Sequence, residues 1–216
     1  FLGGHAIPAE HRHDRAGYVR EVIEEQLPVA GEHADFVDVY VDEGAFTLAE
    51  GRAILEAGRE AGLGVRCHAE QVAYTGAAQM AAELGALSAD HLERLDEAGV
   101  QAMARAGTVA GLLPAAMLYL RDTSPPVELL RAAGVPLAVA TDFNPGSSPV
   151  DDLWACATLS CLSMGLTVAE ALTGITAVAG RALGRSDLGR IVPGAVGDLV
   201  LVAPRPGEPD TDGGLV

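Results

Sequence analysis

Short runs of β-favouring apolar residues alternate along the chain with stretches whose apolar residues recur three and four apart. The runs are Phe1–Ala6, Phe36–Val41, Gly64–His68, Ala86–His91, Thr108–Leu113 and Pro136–Thr141. Between them, segments such as Leu48–Ala61 and Val127–Ala133 carry the spacing of amphipathic helices. Thr47, with Glu50 three residues on, spells a capping box for the first of these. Gly62 and Gly134 stand where a left-handed helix stop is expected. Strands separated by helices predict parallel βαβ units, in either a closed (β/α)8 barrel or an open doubly wound sheet. A glycine-rich phosphate loop after the first strand would favour the open sheet, and none is present. Polar clusters instead close several runs: His5, His68 to Gln71, His91, and Asp142 with Asn144. Functional side chains at the carboxyl ends of many strands are what a barrel displays. The pattern therefore predicts an α/β fold, a (β/α)8 TIM-type barrel of which six units are present.

Beyond the last run, Val150–Met164 and Val168–Leu183 read as helices, with Trp154 and Met164 placed in the core. Leu188–Val202 breaks the pattern and reads as two short strands about a Pro193-Gly194 turn. These are expected to be a C-terminal strand pair of a small β-sandwich domain. Residues 1–185 would then form a partial barrel and 186–216 the piece of the small domain, with Asp210–Val216 a frayed end. The chain opens at Phe1 inside an apolar run, which reads as a piece of a longer protein.

Composition narrows the function classes. With 49% hydrophobic and 20% charged residues the chain is of the folded, globular kind. The net charge of -16, with 14 scattered basic residues, would repel a phosphate backbone, so nucleic acid is not an expected partner. No apolar run approaches the roughly 18 residues of a membrane span. Cys67, Cys156 and Cys161 are odd in number and lack metal-finger spacing, which suggests free thiols and a reducing cytoplasm.

Candidate chemistry sits at the strand ends. His68 closes Val65-Arg66-Cys67-His68, where alternation puts Arg66 and His68 on one face and Cys67 on the other. His91 and Asp142 close two later runs in the same way. A carboxylate at the end of the run Ala138-Val139-Ala140-Thr141 needs a cation or several donors if buried, and the competing reading is a helix cap. Two imidazoles and a carboxylate converging at a barrel mouth suit one divalent ion such as Zn2+ or iron, and point to hydrolysis by activated water. His11-Arg12-His13 has metal-pair spelling but lies in a charged stretch and reads as a solvated loop; His33 reads as exposed. Ser147 and Ser148 lack the strand–Ser–helix elbow of a serine nucleophile.

Phe1–Ala6, Ala34–Val39, His68-Ala69-Glu70-Gln71, Ser88–Leu92 and Thr141–Ser148, in that order, resemble the successive motifs of the imidazolonepropionases. These are amidohydrolases with a (β/α)8 barrel and a small β-sandwich built from both termini. The resemblance implies hydrolysis of 4-imidazolone-5-propanoate, a small-molecule substrate, to N-formimidoyl-L-glutamate in histidine degradation. It implies His68 and Asp142 as ligands of one Zn2+ or Fe2+/Fe3+ ion, and Asp142, His91 and Gln71 as catalytic residues. It further implies His5, Gln71, Asn144, Gly146 and Ser147 as substrate-binding, the turn at Gly146 exposing backbone N–H groups to an anion. A homodimer is implied for the full-length protein. The family's His-x-His pair of metal ligands has no match here, so this chain alone is expected to be inactive and poorly soluble. Other cyclic amide or amidine hydrolases, or aminohydrolases of the superfamily, remain the alternative.

Overall fold

Five strands form one parallel sheet in the order in which they occur in the chain: β1 (Phe36–Val41), β2 (Gly64–Ala69), β3 (Ser88–His91), β4 (Val109–Leu112) and β5 (Leu137–Val139). They belong to a computed structural model that describes residues 1–202. Sequential order without a switch point is the arrangement of a (β/α) barrel wall and not of a doubly wound sheet. Each connection is helical: α3 (Leu48–Glu60), α4 (Ala77–Glu83) and α5 (Glu97–Ala106), then α6 (Pro114–Leu120) with α7 (Val127–Ala132). Ahead of the sheet lie α1 (Arg15–Glu21), a π-helical turn at Val22–Gln26 and α2 (Leu27–Ala30). After it come α8 (Leu153–Met164), α9 (Val168–Gly174) and α10 (Ala177–Ala182).

Period-two alternation assigns the two faces. Val37, Val39, Val41, Val65, Cys67 and Ala69 are buried beneath the helices, against Ile54, Leu55 and Ala78. Each valine, leucine or isoleucine so buried contributes about 1.5–3 kcal/mol before entropy is counted. Helix α3 approaches closely because Gly58 carries no side chain: a Cβ there would stand 2.3 Å from Val37 Cγ1. The opposite face carries the row Tyr40, His68, Asp90, Gly111 and Ala138, in register across all five strands. The Thr47–Glu50 capping box forms as expected, and Gly62 and Gly134 both adopt positive φ.

Four expectations are corrected. Phe1–Ala6 is not a full strand; it meets β1 through a single bridge, Gly4 to Val39, because the chain turns at His5 N to Leu2 O, 3.2 Å. Val168–Leu183 is two helices, broken at Thr176, which leaves helical φ/ψ and bonds back to Leu172 O at 2.6 Å. Trp154 is 44% exposed instead of in the core. Helix α8 holds no charged residue, so its pattern cannot say which side faces inward. Met164 is buried and His33 exposed, as read. In Leu188–Val202 the turn is present, with Ala195 N bonded to Val192 O and Gly194 at positive φ, but no flanking strands form among the described residues. A strand pair needs a sheet to lie against, and Ile191, Leu199 and Leu201 are exposed. The expected frayed end, Asp210–Val216, lies outside the described residues.

Candidate active site

The carboxyl ends of the strands surround a cavity of about 410 Å³. His5, Tyr40, His68, Gln71, His91 and Asp142 line it, with Asn144 and Ser147 at its edge. His68 points there because alternation on β2 turns it away from the helix-facing layer. Asp38, two residues before Tyr40 on β1, faces the same side and accepts from His68 Nδ1 at 3.0 Å. His5 Nε2 lies 3.4 Å from the same Asp38 oxygen, off the direction of a hydrogen bond. The rings of His5 and His68 meet edge-on, with centroids 4.6 Å apart, and those of His68 and His91 stand 5.3 Å apart.

The electrostatics favour positive charge here. Burial alone would push the Asp38 carboxyl up and the His68 imidazole down. The facing imidazoles instead hold Asp38 well below the usual carboxylate range. Asp38, Asp90 and Asp142 together hold His68 up at about 9. Asp142 is raised by burial, with His91 and His68 opposing. Burial, then Asp42 and Glu93, push the Tyr40 phenol up to about 12.

The backbone around the cavity is bent in ways that side chains disfavour. Glu70, His91, Leu92 and Asp142 have φ of 51°, 79°, 74° and 50°. All four follow or end a strand on this rim, and such conformations persist where the surrounding structure over-determines them. At β3 the bend has a consequence: register pairs His91 with Ala69, in the helix-facing layer, yet the ring reaches the cavity. Two buried carboxylates brace the loop after β2. Asp42 accepts from the N–H groups of Gln71, Val72 and Ala73 at 2.7–2.9 Å, which sets Gln71 at the rim. Glu70 accepts from Thr75 Oγ1 and from the N–H groups of Ala77 and Ala78 at the start of α4.

The Asn144–Ser148 turn departs from expectation. The N–H groups of Gly146 and Ser147 are not free; both donate to Asn144 Oδ1 at 2.8 Å. Asn144 Nδ2 donates in turn to Asp142 O and Ser147 Oγ, at 2.8 and 2.9 Å. The short Asn side chain closes a local turn on its own backbone, so its amide oxygen stands where an anion's oxygen was expected. Gly146 is exposed and does not border the cavity.

Of the residues singled out from the sequence, His5, His68, Gln71, His91, Asp142, Asn144 and Ser147 are brought together, and Gly146 is not. His11 pairs instead with Glu21 at 3.3 Å, and His13 is exposed. Cys67 and Cys156 are buried, Cys161 is half-buried, and all three are free thiols. Asp38, Tyr40 and Asp42 were missed. Their signal was there: in Phe36–Val41 the polar residues 38 and 40 alternate with three valines, placing Asp38 on the face of His68.

The donor set fits a borderline divalent ion. His68, His91 and Asp142 each offer a ligand atom, all within 4.8 Å of one another, and His5, Asp38 and His68 do likewise. His5 Nε2 is buried without a hydrogen-bond partner among the described residues.

Comparison with known proteins adds to this geometry. The model of the Amidohydrolase family matches residues 20–212. An imidazolonepropionase of Ectopseudomonas mendocina is 51% identical over 204 residues, which is 93% of this chain and 50% of that protein. One of Rhizorhabdus wittichii is 48% identical over 205 residues, 93% of this chain and 51% of that protein. The chain thus spans about half the length of the curated relatives it matches. Among solved structures, an amidohydrolase from an environmental sample of the Sargasso Sea superposes with a TM-score of 0.68 at 17% identity, covering 90% of this chain and 49% of that one.

Proposed function

We propose, from the premise that this chain belongs to the amidohydrolase family, that its protein opens the ring of 4-imidazolone-5-propanoate by hydrolysis to N-formimidoyl-L-glutamate. The observation that carries this reading is the convergence of His68, His91 and Asp142 on one cavity, in a chain 51% identical to an imidazolonepropionase.

His68 and Asp142 would hold one zinc or iron ion, with Asp38 behind His68. Such an ion, when bound, supplies Lewis-acid activation of water and of the ring carbonyl. The remaining chemistry belongs to the side chains. Asp142 takes the proton of the attacking water and delivers it to the ring nitrogen as the C–N bond breaks. His91 stands beside the reacting ring. Gln71, fixed by Asp42 through its backbone, can donate to and accept from the polar ring. The propionate reaches toward Asn144 and Ser147, which border the cavity from the turn after Asp142. His5 closes the near side of the cavity.

Residues 1–185 would supply the carboxyl-terminal part of the barrel, and 186–216 would join a small β domain. Strands of that domain would cover Ile191, Leu199 and Leu201, exposed here. Three free thiols suit a reducing cytoplasm, and no helix among the described residues is long and apolar enough to cross a membrane. The test is a turnover assay on the full-length, metal-loaded protein: disappearance of imidazolonepropionate absorbance with formation of formimidoylglutamate is expected. Absence of turnover with metal bound rejects the reading.

A further inference from the structure

His91 and Glu93 stand two residues apart, and each buries a polar atom with no hydrogen-bond partner among the described residues: His91 Nδ1 and Glu93 Oε2. Their side chains are 3% and 2% exposed. The closest approach between them is His91 Nδ1 to Glu93 Oε1, 3.9 Å. That is too long for a direct hydrogen bond, and it is a gap that one bridging water or a small side-chain rotation closes. Among the described residues His91 is the one basic side chain within 4 Å of the Glu93 carboxylate.

The backbone is bent to bring the two together. Strand alternation would send His91 toward the helices; successive left-handed residues, His91 and Leu92, turn it instead. Three bonds hold the bend: Leu92 N to Ala69 O, Arg94 N to Glu70 O and Leu95 N to Leu92 O, at 3.1, 2.8 and 3.1 Å. An unpaired carboxylate is costly to bury. An imidazole that must present one nitrogen to a reactant needs its other nitrogen held. Because Nδ1 has no accessible surface and the ring lines the cavity, Nε2 is the nitrogen on the cavity side.

We infer that Glu93 is a positioning residue for His91, its carboxylate accepting the Nδ1 proton directly or through one water, so that the Nε2 lone pair faces the reactant. The identity of that reactant rests on the imidazolone reading; the tautomer is a property of the protein alone.

Long-range proton–nitrogen correlation spectra of the labelled, zinc-loaded full-length protein read which nitrogen of His91 carries the proton. Wild type is expected to carry it on Nδ1. Glu93→Gln keeps an acceptor oxygen and should preserve that tautomer. Glu93→Leu should move the proton toward Nε2 and lower kcat about 10- to 100-fold with KM little changed. A wild-type proton on Nε2 overturns the assignment, and so does an unchanged tautomer in a folded Glu93→Leu protein. If the tautomers behave as stated but imidazolonepropionate is not turned over, Glu93 keeps its role and the substrate reading falls.

Discussion

Asp38 Oδ1 receives the Nδ1 side of His68 at 3.0 Å, and that bond decides which nitrogen of His68 is left for a metal. With Nδ1–H given to the carboxylate, Nε2 is the nitrogen left for an ion, which displaces its proton on binding. The same oxygen lies 3.4 Å from His5 Nε2 without a hydrogen bond between them, so the carboxylate orders His68 and leaves that His5 nitrogen without a partner among the described residues.

Replacing Asp38 should therefore weaken metal binding although Asp38 itself is behind the ligand. Asp38→Leu is expected to lower zinc affinity of the full-length protein about 10- to 100-fold, and Asp38→Asn less, because the amide oxygen can still accept. Competition against a chromophoric chelator measures this. Equal affinity in wild type and Asp38→Leu would show that His68 is oriented by something else.

Glu70 is wholly buried, and its two oxygens accept from Thr75 Oγ1, Ala77 N and Ala78 N at 2.7–3.0 Å. Burial raises its pKa and these donors oppose that. Glu70→Gln presents an NH2 group to a backbone N–H, leaving a donor unsatisfied. The expected loss is about 1–3 kcal/mol of stability, seen as a lower urea midpoint with unchanged slope. A midpoint within error of wild type would contradict it.

How far the sequence reached follows from the physics of each residue. His68 was legible because a polar group ending an alternating strand has only one face to take, and β2 keeps strict alternation. Asp142 was legible because it closes a β-favouring run, Leu137–Thr141, that is apolar up to Ala140. His91 was found, but not its direction: a left-handed backbone at a non-glycine residue is imposed by tertiary bonds and leaves no local mark. Asp38 leaves the same mark as His68, since alternation with the valines of β1 puts it on the same face, but it sits inside its strand and not at the end. The tail kept its turn, which Pro193 and Gly194 encode locally, and lacked its strands, which depend on a partner sheet.

Gly111 gives Asp90 its room. A Cβ at Gly111 would stand 2.0 Å from Asp90 Oδ1, while Asp90 Oδ2 holds Arg66 at 3.2 Å on the same face. Gly111→Ala must push the carboxylate aside and disturb that buried pair. A destabilisation of about 1–3 kcal/mol is expected, as for other overpacked sites. Calorimetric melting of the variant decides it; an unchanged melting temperature would mean that Asp90 moves freely.

Arg131 joins α7 to α9 through Glu170, with Nε and Nη2 at 2.6 and 2.9 Å from its two oxygens. This Arg131 contact outweighs desolvation and brings the Glu170 carboxyl down from 4.5 to about 2. The folded-state pKa is depressed, so the charged form stabilises the fold above the unfolded-state value, and that stability is lost as pH falls through about 2. Glu170→Gln should therefore melt at a lower temperature than wild type at pH 7. The gap should begin to narrow below about pH 4.5 and should be lost once Glu170 is protonated in both states. The pair is partly exposed to solvent and screened, so the neutral-pH gap is expected to be small and to shrink further in high salt. Melting curves of the two proteins at matched ionic strength across that window provide the measurement. A gap that persists unchanged to pH 2 would show that Glu170 acts through its shape, as part of the capping box with Thr167, and not through its charge.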